Sequence, residues 1–142
     1  MPIVHPSPDT EEPPELHIRS VLLLEDDVLQ AIVIRKLLEA SDFVVTTVEN
    51  GADGLREVMA FDFDVIICDM MMPKMPGDMF FLAVSRAKPQ LCRRFVFLTG
   101  FGHEPKVAEF LAKVGGPVLH KPVPNLKLIE AIRAVAEQPR EE

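Results

Sequence analysis

Four short apolar runs in this chain each end in a polar group on the same, C-terminal side, and that repetition narrows the folds open to it. Val21 to Leu24 runs into Glu25 and Asp26, and Val65 to Cys68 runs into Asp69. Phe95 to Leu98 leads to Thr99, and Val118 to His120 leads to Lys121. Short apolar runs without alternation read as strands buried on both faces, as in a parallel sheet. In such sheets the chemistry gathers beyond the carboxyl ends of the strands. If the strands are parallel, three carboxylates, a hydroxyl and an ammonium converge on one pocket. That set suits a cation and a phosphoryl group.

Between the runs the pattern turns helical. Leu29, Ile32, Val33 and Leu37 form a stripe after the first run, with Asp27 placed as an N-cap. Phe43 to Val48 is a β-branched run and a further strand, and Asn50-Gly51 opens a short helix marked by Ala52, Leu55 and Met59. Pro76-Gly77 opens a helix through Phe81 and Val84. Val107, Phe110, Leu111 and Val114 mark the next, stopped by Gly115-Gly116. Leu128, Ile129, Ile132 and Val135 line the last. Five strand–helix units of this kind predict an α/β fold, a doubly wound five-stranded parallel sheet with helices on both faces.

The 142 residues suit one domain with a real core. Residues 18–138 are expected to form it, with 139–142 as a polar C-terminal tail. Residues 1–17 hold five of the chain's 13 prolines and the acids Asp9, Glu11, Glu12 and Glu15, with no Lys or Arg. Such a stretch buries too little apolar surface to order itself and reads as a disordered tail or linker. No run approaches the roughly 20 apolar residues that span a bilayer, and the N-terminus lacks a signal-peptide pattern. The net charge of −7 disfavours nucleic acid as a partner. Two cysteines, Cys68 and Cys92, are too few for a disulfide framework, so a cytoplasmic setting is expected. Cys68 reads as a small hydrophobe.

The polar set has its own electrostatic logic. Clustered carboxylates repel, and one of them holds a proton unless a cation neutralises the group. Mg²⁺ fits because it takes oxygen ligands, keeps several waters and bridges to phosphate. Phosphoryl transfer asks for positioning and charge neutralisation, which a cation and Lys121 would supply.

Taken in order, the motifs are an acid pair after the first strand, Asp-x-x-x-Pro after the third, Thr-Gly after the fourth and Lys-Pro after the fifth. Together they resemble the receiver domain of two-component response regulators, a CheY-like, flavodoxin-like fold, over about residues 18–138. The resemblance implies that Asp69 is the phosphoacceptor, taking its phosphoryl group from a sensor histidine kinase or histidine phosphotransfer domain to act on a downstream protein partner. It implies that Asp26, Asp69 and the Met71 carbonyl ligate Mg²⁺, with Glu25 acting largely through a metal-bound water. Thr99, Lys121, Met70 and the small Gly100 would surround the phosphoryl group. Lys121-Pro122 resembles the family's cis junction.

Other candidates read as structural. His120 alternates away from Lys121 along its strand, and His5, His17 and His103 show no metal spacing. Met70, Met71, Met72 and Met75 read as packing rather than a soft-metal site, and Arg93-Arg94 as a solvated loop. Three departures from the family stand out. Val118 replaces its usual aromatic residue, which puts the conformational switch in doubt. Gly115-Gly116-Pro117 lacks the acids of dimerising receivers, so a monomer or weak dimer is expected. Met71 and Phe101 are bulky where the hydrolytic water approaches, which should lengthen the life of an acyl phosphate.

Two settings fit: a stand-alone regulator, with no output domain after Glu142, or the receiver of a hybrid kinase. Phe97-Leu98-Thr99-Gly100 and the Pro/acid-rich leader resemble the latter. Competing classes are a phosphorylation-independent pseudo-receiver, an aspartyl-nucleophile phosphatase and a flavodoxin-like nucleotide binder. Met71 stands where the phosphatase would need a proton-donating acid, and Glu25-Asp26-Asp27 would repel the nucleotide's phosphate.

Overall fold

The computed structural model describes residues 19–100 and 105–139. The expected tail at 1–17, the last residues of the C-terminal tail, His5, His17, His103 and Phe101 lie outside them. The elements run β1 (Arg19–Leu24), α1 (Val28–Ala40), β2 (Phe43–Val48), α2 (Gly51–Ala60), β3 (Val65–Asp69) and α3 (Gly77–Ala87). A 3₁₀ helix (Pro89–Arg94) then leads to β4 (Phe95–Thr99), α4 (Pro105–Val114), β5 (Val118–His120) and α5 (Asn125–Ala136). The strands form one parallel sheet in the order β2-β1-β3-β4-β5. The chain leaves β1 towards β2 and returns past it to β3, so a topological switch lies between the ends of β1 and β3, where such sheets bind ligands.

The unbroken apolar runs follow from burial on both sides. Leu22, Leu24, Ile66, Cys68, Phe95 and Phe97 face one core cluster, completed by Val58 of α2, Phe80 and Val84 of α3, and half-buried α4 residues. Val21, Leu23, Val65, Ile67, Val96 and Leu98 face the other, with Leu38 of α1 and Leu128, Ile132 and Val135 of α5. Successive residues of each strand thus serve opposite cores, as the two-residue strand period requires. Val118 pairs with Phe97. The ring contacts on that side come from neighbouring elements: Phe81 to Phe97 at 5.7 Å, and Phe97 to Phe110 at 5.5 Å, edge to face.

Local signals set the helix starts. The Asp27 carboxylate accepts from Gln30 N–H at 3.1 Å and the Asn50 side chain from Asp53 N–H at 2.8 Å, each capping a helix. Gly115, at φ 73°, follows α4 in the left-handed region that ends helices.

Three expectations are corrected. Of the α1 stripe only Leu37 packs on the core, half-buried beside Ala31 and Ile34 with Leu38 buried, whereas Leu29 is 75% exposed, Val33 62% and Ile32 38%. α1 carries apolar residues on two sides, so periodicity alone could not say which side meets the sheet. In α2 the buried residues are Gly51, Gly54 and Val58; of the expected stripe Leu55 packs half-buried on the core, whereas Met59 is exposed. Arg94 is not solvated. It is buried and donates to the Val135 carbonyl at 2.9 Å, in the last turn of α5, where that carbonyl also accepts from Gln138 N–H at 3.1 Å.

Candidate functional site

The strand tips bring the expected groups together. β1 ends at Leu24 and delivers Glu25, whose N–H joins the ladder at the Val48 carbonyl (3.0 Å). β3 ends on Asp69 itself, and the next residue, Met70, donates to the Leu98 carbonyl at 3.0 Å. Lys121 follows β5 and donates its N–H to the Thr99 carbonyl at 2.9 Å. Glu25, Asp69 and Thr99 are buried, Asp26 is exposed, and the Lys121 side chain is 24% exposed.

Lys121 Nζ donates to Asp69 Oδ2 at 2.8 Å and to Glu25 Oε1 at 3.2 Å. Backbone amides hold the remaining oxygens: Met71 N–H donates to Asp69 Oδ1 at 3.1 Å, and Asp27 N–H to Glu25 Oε2 at 3.2 Å. These short charge-assisted contacts fix both carboxylates. Burial, and then the charge of Asp69, push the Glu25 carboxyl up from 4.5 to about 7. Burial pulls the Lys121 ammonium down, but its hydrogen bond and attraction to Asp69, then Glu25, outweigh that and hold it above the usual lysine value. Burial first, and repulsion from Asp69 second, thus leave Glu25 partly protonated near neutrality.

One carboxylate oxygen from each of Glu25, Asp26 and Asp69 lies within 4.8 Å of the others. Three hard oxygen donors, one of them open to solvent, fit a small divalent cation that keeps part of its water shell. The residue types exclude a soft metal: Met70 and Met72 are buried in the core, Met75 packs against it, and the Cys68 thiol is raised well above its usual range by burial, then by Asp69.

Met70 stands apart from the other expected residues. Its side chain lies in the core and its N–H serves the β3–β4 ladder, so the amide that faces Asp69 belongs to Met71. Gly100 is exposed just beyond Thr99. The Lys121–Pro122 peptide is cis. The contribution of Asp27, a backbone amide, left no trace in side-chain patterns. Beside Lys121, a mostly apolar cleft of about 510 Å³ opens between Leu29, Val33 and Leu37 of α1 and Val123 and Leu128 around the start of α5.

The chain belongs to the response regulator receiver domain family, whose model matches residues 21–133. It is 30% identical over 120 residues to the transcriptional regulatory protein GlrR of Escherichia coli K12, covering 83% of this chain and 26% of that protein. The chain thus spans about a quarter of that relative's length. It is 28% identical to the response regulator receiver protein CpdR of Brucella abortus, covering 81% of this chain and 94% of CpdR. The fold matches a CheY-like receiver domain protein of Methanospirillum hungatei with a TM-score of 0.78 at 20% identity, over 85% of this chain and 95% of that one. The chain is therefore a phosphoacceptor signalling module of the two-component type. Among the described residues no helix is long and apolar enough to cross a membrane.

Proposed function

We propose that Asp69 is the acceptor, and that Glu25, Asp26, Thr99 and Lys121 are the groups that make it competent. The observation that carries this reading is the meeting of Asp69, Glu25 and Lys121 within hydrogen-bonding distance, from the ends of three different strands. An Asp69 oxygen attacks the phosphorus of a phosphohistidine. The P–N bond breaks, its electron pair leaves on the imidazole nitrogen, and an acyl phosphate forms on Asp69.

Lys121 lies where it can transfer its hydrogen bond from the carboxylate to a phosphoryl oxygen. The Thr99 hydroxyl and the Met71 amide supply further donors, and Gly100 leaves room. Asp26, Asp69, the Met71 carbonyl and Glu25 through water would hold Mg²⁺, which when bound offsets charge on the transferring oxygens. In this reading the chain's own chemistry is limited to Mg²⁺-dependent self-phosphorylation and autodephosphorylation, in the cytoplasm.

The donor would be a sensor histidine kinase or histidine phosphotransfer domain. Val28, Leu29, Ile32 and Val33 form an exposed apolar face on α1, next to the cleft that ends at Lys121. A face of that kind beside an acceptor supports docking of an apolar helical partner. The phosphorylated domain would then act through a downstream protein partner.

Intact mass after incubation with acetyl phosphate tests the reading. Wild type should gain one phosphoryl group only with Mg²⁺, and Asp69→Asn should gain none. An adduct of equal yield in Asp69→Asn would place the acceptor elsewhere.

A further inference from the structure

Gly51 opens α2 directly against the loop that carries the acceptor. A Cβ built at Gly51 would lie 2.6 Å from Met75 Cβ, 2.7 Å from the Met75 carbonyl oxygen and 2.9 Å from Met75 Cγ. A flexible side chain can swing away from such an approach, but a carbonyl oxygen moves only with its backbone. Any side chain at position 51 therefore displaces the loop at Met75.

That loop has little slack. Gly77 N–H donates to the Met70 carbonyl at 3.2 Å, closing the loop on itself, and Met75 N–H donates to the Pro73 carbonyl at 2.8 Å. Pro73 and Pro76 fix two φ angles, and Lys74 already sits at φ 70°. Met70 is tied to β4 through the Leu98 carbonyl. A push at Met75 is thus passed back to Met71 through Lys74, a segment that begins with the amide holding Asp69 Oδ1. Gly54, one turn later, differs: the atoms nearest its missing Cβ are side-chain atoms of Leu24 and Phe80, in the core.

We infer that Gly51 is a positioning residue for the acceptor site: its missing side chain lets the Met70–Pro76 loop seat against α2, and so aims the Met71 amide at Asp69. The inference rests on the phosphoacceptor reading for its consequence and on the loop packing for its cause.

Three variants separate the two. Gly51→Ala removes the seat, Met75→Ala removes the side chain that fills it, and Val58→Ala weakens α2 from its buried face, away from the loop. Amide hydrogen exchange at Met71 in the metal-free protein and Mg²⁺ affinity by calorimetry are the readouts. Gly51→Ala should speed Met71 exchange and weaken Mg²⁺ binding on the order of tenfold, the loss usual when a supporting shell is disturbed. Met75→Ala, a loop change the fold tolerates, should act in the same direction. Val58→Ala should lower the melting temperature and leave both readouts as in wild type. Wild-type exchange and affinity in a folded Gly51→Ala or Met75→Ala protein would overturn the inference, as would an equal effect in Val58→Ala. If wild type binds no Mg²⁺, the phosphoacceptor reading fails by itself, and Met71 exchange alone decides the role of Gly51.

Discussion

The proton that Glu25 retains near pH 7 has a measurable consequence for the metal. In the folded protein this carboxyl is raised from 4.5 to about 7, by burial and then by Asp69. A raised carboxyl means that the folded state holds a proton the unfolded chain gives up. Stability of the metal-free protein should therefore fall as pH rises from about 4.5 to about 7, by at most about 3 kcal/mol. The Lys121 shift adds nothing in that window, because its raised value lies far above it and its contribution is lost only at strongly alkaline pH. A divalent cation in the pocket favours the ionised carboxylate and must displace the proton. With the group half-protonated at pH 7, Mg²⁺ affinity should be about tenfold weaker at pH 6 than at pH 8, with about half a proton released per ion near neutrality. The chain holds no Trp and no Tyr. Calorimetry in buffers of different ionisation enthalpy, rather than intrinsic fluorescence, is the suitable assay. Glu25→Gln should bind Mg²⁺ with little dependence on pH over this range. Wild-type affinity that is flat from pH 6 to 8, or a Glu25→Gln protein that keeps the full dependence, would refute the reasoning.

Other expectations follow from single contacts. Leu29→Asp with Val33→Asp should slow phosphotransfer from a histidine-bearing donor protein while leaving labelling by acetyl phosphate intact. Both side chains are largely exposed, so unfolding free energies in denaturant should change by less than about 0.5 kcal/mol per site; equal loss with both donors would show a damaged pocket instead. Arg94→Ala removes a buried charge-assisted bond to the Val135 carbonyl, which still accepts from Gln138 N–H, and should lower unfolding stability by about 1–3 kcal/mol in urea, without changing the phosphorylation rate at saturating donor. Met71, 46% exposed beside Asp69, should shield the acyl phosphate together with Phe101. Replacing them with Asn and Glu should shorten its lifetime, measured by loss of the phosphorylated mass, and a longer lifetime would contradict the shielding.

The strand ends were legible because each apolar run gives way to a polar residue at the same end of the sheet, even though Glu25, Asp69 and Thr99 are themselves buried. Glu25, Asp69, Thr99 and Lys121 mark boundaries between core and pocket, and a parallel sheet leaves those boundaries on one edge. The faces of the helices were less so. In α1, Leu29 and Val33 fit a helical stripe as well as Ile34 and Leu38 do, and only contact with the sheet separates them. In α2 the buried positions include two glycines, which carry no hydropathy signal, so the pattern fell on Ala52, Leu55 and Met59. Arg94 looked solvated because charge dominates its side chain, yet its partner is a backbone carbonyl 41 residues away. The amides of Asp27 and Met71 were invisible for the same reason: every residue but proline has one, and only the fold decides where it points.

The ladder bonds at Glu25, Met70 and Lys121 tie the pocket's chemistry to the cooperativity of the sheet. Each of these residues donates its amide to a neighbouring strand or strand end, at 3.0, 3.0 and 2.9 Å, so Glu25, Asp69 and Lys121 are all held at the ends of paired strands. Local fluctuations that fray the helix ends leave such bonds closed; breaking them means parting β1 from the edge strand β2, β3 from β4, or β4 from the edge strand β5. The Lys121 contacts to Glu25 and Asp69 are therefore coupled to the pairing of the sheet. A distant destabilising substitution should reduce the fraction of molecules that are competent, while the molecules that remain folded keep the Lys121 bonds to Asp69 and Glu25.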